Sequence, residues 1–191
     1  MIAQKGYPAE THNAITDDCY ILQLHRIPHG KYATKATKPP VLVLHGILGS
    51  SADWVMASPE QSLGFVLADQ GYDVWLGNMR GNSYSRAHCE LNPDNQDFWQ
   101  WSFDQVGQYD IPAMIDTIRE VTGVDKIIYT GFSMGTTTFL AMASTRPEYQ
   151  EHILMANLLA PVAFVDNMIS PLKYIAPFTN QLDVSKTKPN S

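Results

Sequence analysis

The chain has 191 residues, enough for one sizeable hydrophobic core and hardly for two. Apolar residues make up 45% and charged residues 17%, an ordinary globular balance that argues against disorder. A net charge of −6 without a basic stripe speaks against a nucleic-acid partner, and no apolar run approaches the length of a membrane span. The segment Met1-Ile2-Ala3-Gln4-Lys5-Gly6 lacks the apolar stretch of a secretory signal. Six histidines show no zinc-binding pattern, so no metal or cofactor is expected. Two cysteines, Cys19 and Cys89, make neither a disulfide framework nor a metal site. One bridge between them is open, and two buried free thiols is the reading preferred.

In chain order, residues 12–16 and 20–27 flank an Asp17-Asp18 turn signal and are expected to pair as an antiparallel hairpin. Tyr20, Leu22 and Leu24 then share one face, Gln23 and His25 the other. A polar stretch from Pro28 to Lys38 leads into Val41-Leu42-Val43-Leu44, a run that suits a central strand. Ser58-Pro59-Glu60-Gln61 reads as a helix start for a segment carrying Leu63, Val66 and Leu67 and stopping at Gly71. Tyr72 to Leu76 is the next strand. Asp110-Ile111-Pro112 opens a helix whose Ile111, Met114, Ile115, Ile118 and Val121 keep helical spacing up to Gly123. Asp125 to Tyr129 suits a buried parallel strand, and Met134 to Thr145 a helix carrying Phe139, Leu140 and Ala143 until Arg146-Pro147 stops it. A last strand fits within Ile153 to Leu159. The order is a hairpin followed by strand–helix repeats, hence an α/β architecture with a mainly parallel sheet and an antiparallel edge.

Between the strand ending at Tyr129 and the helix beginning at Met134 lies Gly131-Phe132-Ser133-Met134-Gly135. Gly-x-Ser-x-Gly arises by accident about once in twenty chains of this length, so its flanks carry the weight. Placed between strand and helix it reads as a nucleophile elbow, the sharp turn that lifts a serine Oγ clear of a sheet. Both glycines have a physical reason there, because a Cβ would clash where strand and helix backbones meet. The loop His45-Gly46-Ile47-Leu48-Gly49 follows the first central strand, where such folds supply one oxyanion-hole N–H. The expected donors are the backbone amides of Ile47 and Met134, with Gly46 and Gly49 allowing the loop to bend. His45 precedes the serine by most of the chain and is read as loop support. A serine hydroxyl needs a base, normally a histidine held by a carboxylate. The last histidine, His152, follows soon after the elbow helix and is expected at the wrong end of the sheet. Asp116 and Asp125 are read as solvated charges.

Several segments together resemble the acid lipase family, which includes gastric and lysosomal lipases. They are Gly6 to Glu10, Tyr20 to Leu22, Arg26 to Pro28, His45 to Leu48 with Trp54, Leu67 to Asp69, Gly71 to Asn82, Phe98-Trp99, Trp101 to Asp104, Tyr109 to Ala113, the elbow with Thr136-Thr137, and Leu159 to Ala163. The run Gly71-Tyr72-Asp73-Val74-Trp75-Leu76-Gly77-Asn78 is far more specific than the elbow. The resemblance implies an α/β-hydrolase fold and hydrolysis of long-chain fatty acyl esters of neutral lipids at an interface, in a secreted or lysosomal protein. It implies Ser133 as nucleophile, the amides of Ile47 and Met134 as oxyanion hole, and residues 1–165 as the front of the hydrolase core. Residues 166–180 then look like the start of a cap and 181–191 like a frayed tail. Phe132 stands where the family commonly has histidine, and Cys19 where it usually has glycine. The triad acid and histidine expected after the serine, with the later strands, are not found, so the chain reads as a fragment. Asp166 and Asp183 follow the serine but fall in the cap-like stretch and the tail. Trp54, Trp75, Trp99 and Trp101 are open to an acyl pocket or to core packing. The alternative is a catalytically inactive truncated hydrolase that binds lipid or a partner. Another α/β-hydrolase, such as a peptidase or thioesterase, fits the elbow but not the runs around Trp75 and Trp101.

Overall fold

A computed structural model describes residues 1–164. The expectations placed on 166–180, on 181–191, on Asp166 and on Asp183 lie outside those residues. Among the described residues seven strands form one mixed sheet: β1 (Glu10–Ile15), β2 (Tyr20–Ile27), β3 (Pro40–Leu44), β4 (Asp73–Gly77), β5 (Ala87–His88), β6 (Ile127–Phe132) and β7 (Ile153–Leu159). Their order is β1-β2-β4-β3-β6-β7, with the short β5 added to β2. The β1–β2 and β2–β4 pairs are antiparallel, whereas β3–β4, β3–β6 and β6–β7 are parallel. This is the expected parallel sheet with an antiparallel edge.

The helices are α1 (Leu63–Asp69), α2 (Phe103–Gln105), α3 (Ile111–Thr122) and α4 (Met134–Thr145), with a π turn over Val106–Asp110 joining α2 to α3. The two central strands are buried on both faces, which is why they read as unbroken apolar runs rather than alternations. Leu42, Leu44 and Trp75 pack with Met114, Ile115, Ile118 and Tyr129 on one side. Val41, Val43, Val74 and Leu76 pack with Phe65 and Ala68 on the other. At the far edge β7 is largely exposed, Leu154 and Met155 at 56% each.

Several local expectations shift. The helix expected from Ser58 begins at Leu63, because Ser58 closes a separate turn by accepting the amides of Gln61 and Ser62. Its buried face is Gly64, Phe65 and Ala68, while Val66 is exposed. Gly64 dictates that orientation: a Cβ there would lie 3.0 Å from the Trp54 carbonyl oxygen and 3.0 Å from a Val55 methyl. In α3 the spacing holds for Ile111, Met114, Ile115 and Ile118, but Val121 is exposed in the last turn before Gly123, the left-handed cap. β6 starts two residues later than expected and runs on to Phe132, directly against the serine.

Cys19 and Cys89 are not free thiols: they form a disulfide. Sequence spacing could not show this, because the pairing depends on β5 lying along β2. That brings the Cys89 amide within 3.0 Å of the Cys19 carbonyl. Cys19 has φ +73°, the left-handed region that favours glycine, consistent with its replacing a glycine in the tight β1–β2 turn.

Candidate active site

The serine sits at a backbone discontinuity. β6 ends at Phe132, α4 begins at Met134, and Ser133 between them has φ +50° and ψ −114°. A non-glycine residue held there costs on the order of 1–3 kcal/mol and persists only where its surroundings fix it. The fixing contacts are specific. The Ser133 amide donates to the Leu159 carbonyl at the end of β7 (2.9 Å). The Ser133 carbonyl accepts the Thr136 amide (2.8 Å) and the Thr136 hydroxyl (2.6 Å). Beneath the turn the fully buried Tyr129 phenol donates to the Gly135 carbonyl (2.6 Å), with its ring stacked on Phe139. Burial raises the Tyr129 pKa strongly, so it remains a donor at any working pH.

Both glycines of the motif are required by space. A Cβ on Gly131 would stand 2.7 Å from the Gly135 carbonyl oxygen, and one on Gly135 2.8 Å from that of Leu44. The loop after β3 touches the elbow directly, since a Cβ on Gly46 would lie 3.2 Å from the Ser133 Cβ. The bend expected at Gly46 and Gly49 is made instead by Leu48, at φ +61°; the glycines serve close approach, Gly49 to the Asp53 carboxylate. Ile47 in this loop and Met134 at the head of α4 line one cavity of about 450 Å³ with Met79, Arg86, Trp99 and Trp101. Residues 47 and 134 thus share one cavity wall, and Met134 follows Ser133 directly in the chain. No acceptor among the described residues takes the Ile47 amide, and the first amides of a helix such as α4 have no partner within the helix.

The four tryptophans divide. Trp75 is fully buried in the core and Trp54 packs against the opposite face of the sheet, whereas Trp99 and Trp101 border the cavity. Gly81, at φ +84°, makes room for both, because a Cβ there would meet Trp101 at 2.6 Å and Trp99 at 2.8 Å. α4 also differs from expectation. Its buried face is Gly135, Thr136, Thr137, Thr138, Phe139 and Met142, while Leu140 is exposed. The threonines tolerate burial because their hydroxyls are bonded: Thr137 donates to the Val162 carbonyl (2.7 Å) and Thr136 accepts the Val162 amide (2.9 Å). They tie the segment after β7 to the elbow.

His45 is 3% exposed and supports the loop, as expected. Its Nδ1 lies 2.8 Å from the Gly46 carbonyl, and its Nε2 lies 3.2 Å from the Met79 amide and 3.1 Å from the Asn82 side-chain nitrogen. Burial holds its pKa below the ordinary histidine value. Among the described residues no histidine is hydrogen-bonded to Ser133: His12 bonds to Glu10, His25 to Ser51, His29 to Gly30 and His88 to Asp18, while His152 Nδ1 lies 3.3 Å from the Asp125 carboxylate. His152 and Asp125 sit at the amino ends of β7 and β6, opposite the elbow. Asp125 and Asp116 are exposed and pair with Arg119, and Asp116 also accepts the Tyr149 hydroxyl (2.6 Å).

Sequence reading missed the buried charge cluster around Arg80, a residue of the cavity wall. Arg80 is 2% exposed; it forks onto Asp18 (2.6 and 2.8 Å) and donates its Nε to Asp110 (2.7 Å), with Tyr20 stacked on the guanidinium. Complete burial pushes Asp110 up to about 6 against the pull of Arg80. For Asp18, burial works upward too, but the Arg80 hydrogen bonds hold it below the ordinary carboxylate value. Asp18 reads as a turn residue and Asp110 as a helix start; only the fold brings these distant positions onto one arginine.

Residues 39–190 match the sequence family described as alpha/beta hydrolase fold, and residues 1–58 match one described as partial alpha/beta-hydrolase lipase region. Lipase 3 of Drosophila melanogaster is 48% identical over 94% of this chain and 46% of its own length. Gastric triacylglycerol lipase of Bos taurus is 48% identical over 86% of this chain and 42% of its own. Lipase member M of Homo sapiens is 44% identical over 90% and 41%. The chain thus spans less than half the length of the relatives it matches. Among solved structures, an alpha/beta hydrolase from Novosphingobium aromaticivorans superposes with TM-score 0.54 at 22% identity, covering 78% of this chain and 43% of that one. Naproxen esterase from Bacillus subtilis gives TM-score 0.53 at 15% identity, covering 78% and 42%. At such identities these two likenesses speak to the fold alone.

Proposed function

Since the chain belongs to the alpha/beta hydrolase fold family, we propose that it is the Ser133-bearing part of a lipase-type ester hydrolase acting on long-chain acyl esters of neutral lipids. The observation that carries this reading is the left-handed Ser133, wedged between the Gly46 loop and the first turn of α4. In the reaction the Ser133 Oγ attacks the ester carbonyl and gives up its proton to a general base. The oxyanion is met by the amides of Ile47 and Met134, donors of a kind worth about 10²–10³ in rate apiece. The tetrahedral carbon then expels the alcohol, which takes the proton, and leaves an acyl group on Oγ. Water adds to that ester by the same steps, releases the fatty acid and restores the serine.

No hydrogen bond joins any of the six histidines to Ser133 among the described residues, and we assign the general base to none of them. The similarity to gastric triacylglycerol lipase supports the neutral-lipid substrate class. The apolar walls supplied by Met79, Trp99, Trp101 and Met134 suit an acyl chain. The Cys19–Cys89 disulfide supports an oxidising compartment, in keeping with a secreted or lysosomal protein. No helix of the described residues is long and apolar enough to cross a membrane.

The test is hydrolysis of a panel of triacylglycerols and cholesteryl esters by the protein expressed from its complete natural reading frame. Ser133→Ala is expected to lower kcat by about 10⁶-fold, the scale set by nucleophile removal in other serine hydrolases. Wild-type turnover in that variant would reject the assignment.

A further inference from the structure

The run Gly77 to Asn82 contributes two asparagines that the hydrolytic reading leaves unused. We propose that Asn82, acting through His45, is a positioning residue for the Ile47 amide, and that Asn78 holds the other end of the same loop. This rests on Ile47 being an oxyanion donor.

The contacts form one continuous relay. A carbonyl can only accept, so the His45 Nδ1 that faces the Gly46 oxygen must carry a hydrogen. Its Nε2 is then a lone pair, which suits the two donors aimed at it, the Met79 amide and the Asn82 side-chain NH2. The second Asn82 hydrogen goes to the Asn78 side-chain oxygen (2.9 Å). The Asn82 oxygen accepts the amides of Tyr84 (2.9 Å) and Ser85 (3.1 Å), which excludes the flipped amide. Asn78 in turn accepts the Ser51 amide (2.9 Å) and donates to the Gln23 carbonyl (2.8 Å). The loop between Gly46 and Ser51 is therefore pinned at its first carbonyl and at its last amide by one buried network. In a planar trans peptide the C=O and N–H point in opposite directions. Holding the Gly46 carbonyl on the imidazole therefore turns the Ile47 N–H away from the His45 ring.

Donor and acceptor polarity, rather than bulk, is what this role requires of Asn82. Aspartate at position 82 would keep the acceptor for Tyr84 and Ser85 but could not donate to Nε2 or to Asn78. It would draw a proton onto Nε2, and the Met79 amide would lose its acceptor. Burial lowers the wild-type imidazole pKa and outweighs the upward pull of the Gly46 carbonyl and of Asp53, the acidic group that reaches it among the described residues.

The test uses the protein expressed from its complete natural reading frame, a soluble short-chain p-nitrophenyl ester, and nitrogen-15 NMR of the His45 ring. Wild type is expected to hold the neutral Nδ1–H tautomer at pH 7 and to titrate below the ordinary histidine value. Asn82→Asp is expected to show a doubly protonated His45 at pH 7 and a kcat about 10²-fold lower, with KM changed by less than about threefold. A wild-type ring protonated on Nε2, or titrating at the ordinary histidine pH, overturns the proposal even if the variant fails to fold. Unchanged kcat in Asn82→Asp beside an inactive Ser133→Ala overturns it alone. An active Ser133→Ala removes the hydrolase reading and the proposal together.

Discussion

Gly135 shows how little freedom a single position has at the elbow. Its α-carbon faces the carbonyls of Leu44 and His45, with room for hydrogen and not for methyl: a Cβ would stand 2.8 and 3.0 Å from those oxygens. Both neighbours are backbone, the last residue of β3 and the one after it, so the strain cannot be relieved by rotating a side chain. Gly135→Ala is expected to lower stability by about 1–3 kcal/mol, read from urea unfolding. It should also displace Ser133 enough to lower kcat more than KM. Position 135 is legible in the sequence because the need for glycine is local. Tyr129 is not. Nothing in Ile127-Ile128-Tyr129 announces that its phenol crosses beneath the turn to the Gly135 carbonyl, a contact that exists only once β6 and α4 are folded against each other.

Among the elements, the hairpin and the segment after β4 are joined twice, once by charge and once covalently. Arg80 is neutralised by Asp18 and Asp110, and removing one partner of a buried pair costs about 3–5 kcal/mol because the others stay behind uncompensated. Arg80→Met is expected to destabilise by that amount at neutral pH. Without the guanidinium, Asp110 rises further above its unfolded value. A carboxyl raised in the folded state opposes folding above its folded pKa and ceases to do so below its unfolded pKa. Asp18 adds to this with the same sign, since the stabilisation it draws from Arg80 exists above its unfolded pKa and vanishes in acid. The difference between variant and wild type, measured by denaturant midpoint, should therefore be largest above pH 6 and shrink toward pH 4; a constant difference would contradict the pairing.

The covalent link closes a loop of sequence separation 70, and chain-entropy arguments put such a bridge at about 4 kcal/mol. Reduction, or Cys89→Ser, is expected to lower stability by about 2–4 kcal/mol in thermal or urea unfolding. The sequence spacing of Cys19 and Cys89 is uninformative, since their pairing is a consequence of β5 lying on β2. Helical periodicity placed α3 well, because one face of it meets a uniform apolar sheet. It misjudged α4, because a hydroxyl bonded to a carbonyl is as acceptable inside as a methyl group, and Thr136, Thr137 and Thr138 are all bonded in this way. It misjudged α1 because a glycine contact, not hydrophobicity, sets that helix's rotation.

At the scale of the whole molecule, strand direction was legible from the alternation of apolar runs with helical segments, since parallel strands need crossovers and a tight turn needs a hairpin, whereas the spatial order of the strands was not. What stayed hidden was everything set by pairs far apart in the chain: the disulfide, the Arg80 cluster and the Asn78–Asn82–His45 relay. Arg80, Asn82 and His45 themselves line the cavity, so two of these three sets border it directly. The most direct measurement of the central claim is covalent labelling of the protein, expressed from its complete natural reading frame, with a long-chain alkyl fluorophosphonate, followed by intact mass and peptide mapping. One adduct is expected, on the peptide containing Gly131 to Gly135, and none in Ser133→Ala. An adduct on any other serine, or equal labelling of Ser133→Ala, would contradict it.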